Sequence, residues 1–147
     1  MKQIATELAT TASPQRLWDV LTEFNRYSEW SPLFAGLDGE PRVGEKIVLT
    51  LRPGSTGKTR SAAATISAVI PQEYLEWRGS LLLPALYRGV HRFRITPTFP
   101  GSLLNNSEDI SGLLAALMMN ENRLEQGRHL FRAHNEALIA RAESSAR

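Results

Sequence analysis

Residues 73–112, EYLEWRGSLLLPALYRGVHRFRITPTFPGSLLNNSEDISG, are long enough for three strands joined by two short connections. Across Tyr87-Arg88-Gly89-Val90-His91-Arg92-Phe93-Arg94-Ile95 the character alternates. Tyr87, His91, Phe93 and Ile95 share one face, and Arg88, Arg92 and Arg94 the other. Successive side chains of a strand project to opposite faces, so this pattern describes a sheet with one covered and one wet face. The arginine row then reads as a solvated face. The covered set mixes aromatic rings with a histidine, which suits the wall of a cavity better than a plain core.

A tight connection at Phe99-Pro100 sets His91 opposite Glu108, Phe93 opposite Asn106 and Ile95 opposite Leu104. Directly opposed side chains of an antiparallel pair are about 4.5–5.5 Å apart at Cβ. A carboxylate beside an imidazole raises its pKa and gives a general base near neutral pH, with Glu108 as the orienter of His91. The simpler reading is that the two satisfy each other across a partly buried sheet, and both readings stay open. Trp77 belongs to the neighbouring strand and Tyr87 lies near the connection, while Trp30 approaches from the helical side. Aromatic walls with a few polar handles suit a flat or lipid-like ligand.

Composition narrows the class. The 147 residues are 42% hydrophobic and 22% charged with a net charge of +2, which fits one soluble domain over residues 1–147 and gives no reason for a nucleic-acid partner. Cysteine is absent, so disulfides and thiol chemistry are excluded. The start, MKQIATELATTAS, lacks the pattern of a secretory signal. The longest apolar run, Leu113 to Met119, falls far short of the ~20 residues of a membrane span. The expectation is a cytoplasmic protein with no stable membrane insertion.

Taken in order, Gln3 to Thr10 alternates as a first strand. Ser13-Pro14 starts a helix, with Ser as the cap and Pro at the first position. Leu17, Val20, Leu21 and Phe24 continue it at helical spacing to an end near Tyr27. A second helical turn over Tyr27 to Ser31 stops before Pro32. Strands are expected near Phe34 to Leu37, over Glu45 to Leu51 and over Thr59 to Ile70. The intervening Gly-Ser-Thr-Gly-Lys-Thr (54–59) resembles half a phosphate-binding loop, but its glycines are too close together and a strand-like segment follows it instead of a helix. After Gly112 the chain turns helical. The long piece, from about Met119 to Glu143, carries Leu124, Gly127, Phe131, His134 or Asn135, and Leu138 on one side. Gly127 costs about 1 kcal/mol relative to Ala in a helix, so either a close approach to the sheet or room for a ligand has to explain it.

One strand, two short helices, about six strands and a long helix make an α+β domain, with the helix covering the apolar face of an antiparallel meander. In this order the chain resembles the START-related helix-grip superfamily (SRPBCC), in its polyketide cyclase/dehydrase and lipid-transport branch. The resemblance rests on Ser13-Pro14 with Leu17 to Thr22, Tyr27 to Pro32, Val43-Gly44-Glu45, Leu75 to Gly79, His91-Arg92-Phe93, Ser107 to Gly112, and Phe131 with Asn135 to Leu138. It implies a curved antiparallel sheet of six to seven strands gripping the C-terminal helix, with a ligand cavity between them.

The expected function is binding of a small hydrophobic or aromatic ligand. Its contacts would be Trp77, Tyr87, Phe93 and Asn106 from the sheet, Trp30 from the helical side, and Phe131 and His134 from the long helix. The first alternative is a cyclase or dehydratase acting on an aromatic polyketide-like substrate, with His91 as general base and Glu108 beside it. The second is a non-catalytic interaction or regulatory module, a homodimer being one such arrangement, with Leu81, Leu82 and Leu83 as its surface. No cofactor is expected. His129 and His134 are five apart, not the four of a helical metal pair, so no metal is expected either.

Overall fold

The computed structural model describes residues 1–53, 57–80 and 83–144. The expectations for Gly54 and for Leu81 and Leu82 lie outside the described residues. Seven strands form one antiparallel sheet: β1 (Lys2–Thr10), β2 (Phe34–Asp38), β3 (Lys46–Leu51), β4 (Arg60–Ile70), β5 (Tyr74–Ser80), β6 (Arg88–Pro97) and β7 (Ser102–Ser111). Their order is β1-β7-β6-β5-β4-β3-β2, a meander whose last strand pairs back with the first. Residues 73–112 supply the middle of it, and the register is the one the alternation requires. His91 lies opposite Glu108 on one side and Trp77 on the other, Phe93 opposite Asn106, and Ile95 opposite Leu104.

Helix α1 (Pro14–Thr22) begins as the sequence demands, with the Ser13 hydroxyl accepting from the Arg16 amide. It stops at Thr22, short of the expected end near Tyr27. Glu23 leaves helical geometry, and a 3-10 turn (Phe24–Arg26) leads into α2 (Tyr27–Trp30). The break lets Phe24 and Tyr27 both turn inward. The Tyr27 hydroxyl then donates to the Leu21 carbonyl, one of the acceptors that the end of α1 leaves without an intrahelical partner. Ser31 is extended ahead of Pro32.

After α3 (Leu113–Met118), helix α4 (Glu121–Ser144) crosses the concave face and buries Leu124, Phe131, His134, Asn135, Leu138, Ile139 and Ala142. Gly127 marks a close approach to the sheet: a Cβ there would stand 2.5 Å from Ile4 Cδ1. That methyl ends a flexible side chain and can rotate away, while Ala gains up to about 1 kcal/mol of helix propensity. Gly127→Ala is therefore expected to change stability by less than about 1 kcal/mol in a thermal melt. A loss above about 3 kcal/mol would mean that Ile4 cannot yield.

The arginine row is less uniformly solvated than its alternation suggests. Arg88 and Arg94 are exposed, but Arg92 is half-buried between two acids, 3.2 Å from Glu76 and 2.5 Å from Asp109. Burial alone would raise the Glu76 carboxyl. Hydrogen bonds from Tyr74, Ser67 and Arg78 outweigh it and hold the group near 2. This outer web ties β4, β5, β6 and β7 together and leaves the concave face to other work.

A candidate ligand cavity under the long helix

The concave face is filled at one end and open at the other, and side-chain size decides which. Ile66, Leu75, Phe93, Ile95 and Leu104 pack solidly beneath α1 and the C-terminal half of α4. Toward the other end the inward positions are Ala62, Ala64, Gly79 and Gly89. Ala64 pairs with Gly79, and Gly79 with Gly89. These residues have too little bulk to reach the helix, and a cavity of about 410 Å³ remains. Leu33, Phe34, Leu49, Leu51 and Trp77 bound it on one side, and Tyr87, His91, Glu108, Met119 and Phe131 on the other. Leu33, in its wall, packs against both the main hydrophobic core and a smaller one built on Ile4, Ile110, Leu124 and Phe131.

His91 sits in this wall as a ring in a stack. Phe93 lies 4.8 Å and Phe131 4.9 Å from it, both nearly parallel, with Trp77 at 5.0 Å. Its register partner is Glu108, but its hydrogen bond goes diagonally to Asn106. His91 Nε2 stands 2.6 Å from Asn106 Oδ1.

The protons of this network can be assigned from its far end. Thr6 donates to the Asn106 carbonyl, so its oxygen accepts from Asn135 Nδ2. Asn135 Oδ1 accepts from Asn106 Nδ2, which leaves Asn106 Oδ1 to accept from His91. Nε2 therefore carries the proton, and Nδ1 keeps a lone pair for the cavity. The expected raised pKa is not found. Burial dominates and pushes the imidazole down to about 4, despite the Asn106 bond acting the other way.

Glu108 has no hydrogen bond or ion pair to any described residue. Its Oε1 occupies the space over Gly89, 2.7 Å from where a Cβ would stand. Burial first, and the Asp109 charge second, raise its carboxyl to about 7. Tyr87 nearby is pushed to about 12 by burial and by Glu108.

Of the other candidate residues, Phe93 and Asn106 lie behind His91, the first as its stacking partner and the second as its hydrogen-bond partner. His134 is fully buried among Tyr27, Trp30, Phe34 and Phe93 rather than in the cavity wall. Trp30 packs on Tyr27 and His134 on the helical side, 4.8 and 4.9 Å away.

His134 holds a tautomer too. Ser31 Oγ accepts from the Leu33 and Phe34 amides, so its hydroxyl proton points to His134 Nδ1. The proton on Nε2 is then buried without a hydrogen-bond acceptor among the described residues. Burial, followed by the influence of His91, lowers this imidazole to about 3.

No three His, Asp or Glu side chains converge as a metal-ligating group among the described residues. Nor is any helix among them long and apolar enough to cross a membrane. Sequence reasoning missed Phe34, Leu49, Leu51, Met118 and Met119 as lining residues. The run of small inward residues on β4 to β6 was a legible signal for where the space would be.

The family described as polyketide cyclase / dehydrase and lipid transport matches residues 1–143. No curated protein matches the chain. Among solved structures, the protein MLL2253 from Mesorhizobium loti is 22% identical, with a TM-score of 0.72 over 97% of this chain and 98% of that one. A START superfamily protein from Mycobacterium smegmatis is 15% identical, with a TM-score of 0.77 over 97% of each chain. The di-domain ARO/CYC StfQ of the steffimycin biosynthetic pathway is 17% identical, with a TM-score of 0.77 over 98% of this chain and 52% of that one. At these identities the likeness is one of fold.

Proposed function

The chain belongs to the polyketide cyclase / dehydrase and lipid transport family, and from that premise we propose that it binds a small hydrophobic or aromatic ligand in the cavity between sheet and long helix. One observation carries the reading: about 410 Å³ of space walled by Phe34, Trp77, Tyr87, His91 and Phe131, with few polar groups. That volume lies within the 300–1,000 Å³ or so typical of small-molecule sites, and mostly apolar walls with a few placed polar atoms are their usual lining. The cavity's polar lining residues are Tyr87, His91 and Glu108, with Arg60, Ser61, Ser80 and Arg123 as well. Phe93, Asn106, Trp30 and His134 support the wall from behind.

Titration with Nile red, an uncharged fluorophore, tests this. The expected result is saturable enhancement at one probe per chain, with energy transfer from tryptophan as Trp77 borders the site. Unsaturable, purely linear uptake would overturn the reading.

Catalysis on an aromatic polyketide-like substrate is the second reading, favoured by the locked His91 tautomer that aims a lone pair at the cavity. Against it, an imidazole near pKa 4 is a weak base, well below the operating pH at which general bases work best. His91→Ala separates the two readings. Loss of turnover with retained binding supports catalysis, and binding with no turnover in the unaltered protein supports a carrier. A homodimer through the exposed Leu83, Leu113 and Leu117 is a third arrangement, read by light scattering.

A further inference from the structure

Glu108 is the acid on β5 to β7 that pairs with no cation among the described residues. Of the carboxylates on β5, β6 and β7, Glu76 is held by Arg78 and Arg92, and Asp109 by Arg92. Glu108 faces the other way, into the cavity, and the half-buried residue makes no ion pair or hydrogen bond with a described residue. Gly89 leaves the space that its Oε1 fills. The rings of Phe34, Trp77, Tyr87 and Phe131 line the same cavity. A carboxylate among aromatic faces is the chemistry that recognises an organic ammonium, because ring faces and carboxylate both present negative potential.

Resting on the reading that the cavity holds a small apolar ligand, we propose that this ligand carries an ammonium group, which pairs with Glu108 while its apolar or aromatic body fills the space beside Trp77 and Phe131. The ligand supplies the paired cation that Glu108 lacks among the described residues. Other charged or titratable groups line the cavity with it: Arg60 of β4, Tyr87 ahead of β6, His91 of β6 and Arg123 of α4, while α3 contributes none and Asp109 acts on it only through its charge from the opposite face of β7. Both arginines are exposed at the mouth, where water screens them. His91 is neutral through the working range. Glu108 therefore controls the charge preference of the interior, and because its carboxyl titrates near 7, uptake of the cation strengthens as pH rises through neutrality.

Calorimetric titration with 2-(1-naphthyl)ethylamine and with the uncharged 2-(1-naphthyl)ethanol tests the assignment. At pH 8 the amine should bind at least about tenfold more tightly than the alcohol, the usual worth of a charge-assisted hydrogen bond. Its affinity should fall about tenfold between pH 8 and pH 6 while that of the alcohol stays level. Glu108→Gln should erase the preference, bringing the affinities for amine and alcohol within about twofold of each other. If that variant does not fold, the pH series on the unaltered protein decides alone. Equal affinities for the two probes, or a preference that survives in Glu108→Gln, would overturn the ammonium assignment and leave the cavity reading standing. Binding of neither probe would overturn both.

Discussion

Lowering the pH from 7 toward 3 should unfold the protein, and His91 and His134 should be the largest cause. Both imidazoles are buried and neutral in the folded chain, at about 4 and about 3 against 6.5 when free. Their contribution is complete above pH 6.5 and is lost as pH falls toward the folded values, because the unfolded chain takes up the protons first. The loss is about 3 kcal/mol for His91 and about 5 kcal/mol for His134. Glu108 works in the opposite direction. Its raised carboxyl favours the folded state at low pH by up to about 3 kcal/mol, fully gained by the time pH has dropped to 4.5. The net loss is on the order of 5 kcal/mol, comparable to the whole stability of a small domain.

The limb should therefore be shallow between pH 6.5 and 4.5, where Glu108 offsets one histidine, and steep below. Glu76 adds to the steep part, since its folded value near 2 makes it a group that loses stability as pH falls. Circular dichroism against pH gives the curve. His134→Phe removes the imidazole that shifts most, along with the buried N–H that lacks an acceptor, and should move the acid midpoint down by about one pH unit. An unmoved midpoint would mean that His134 is not the sensor. The variant should cost little at pH 7, because an orphaned donor leaves with the ring even though Ser31 loses its acceptor.

Why the sequence disclosed the sheet and its register, but not the hydrogen bonds, follows from the lengths involved. Alternation on β6 fixes which side chains share a face, and a short connection at Phe99-Pro100 fixes what lies opposite, so His91 against Glu108 was calculable from residue counts. A long side chain still chooses among neighbours. His91 reaches diagonally to Asn106 because Asn135 and Thr6 hold that amide in place, and those two come from α4 and β1, distant in sequence. Strand periodicity carries no information about them. The same limit applies to Phe93 and His134, whose inward direction was legible while the layer that each occupies was not. The helix α1 ended early for a related reason: the Tyr27 hydroxyl bond to Leu21 is a tertiary contact that helical spacing cannot register.

Ala62→Trp should abolish ligand uptake without unfolding the chain. Ala62 lies on the inward face of β4, opposite Leu49, and is exposed at the cavity although its strand is central in the sheet. An indole there grows into open space, so no core side chain has to move, and the stability change should stay within about 1 kcal/mol. The ligand has no such freedom. If the ring displaces on the order of 100 Å² of its apolar contact, affinity drops by about 2.5 kcal/mol, or roughly 70-fold. Val48→Trp is the matching control, with the same bulk on the outward face of the adjacent strand, where Val48 is already solvent-exposed. Nile red titration of the two variants should show uptake lost in the first and unchanged in the second. Retained binding in Ala62→Trp would move the site away from this cavity. Loss in both would trace the effect to the sheet's stability, which a thermal melt reads independently. Because Ala62 touches neither His91 nor Glu108 in the strand pairing, the pair of variants asks about space alone, separately from the charge preference that Glu108 sets.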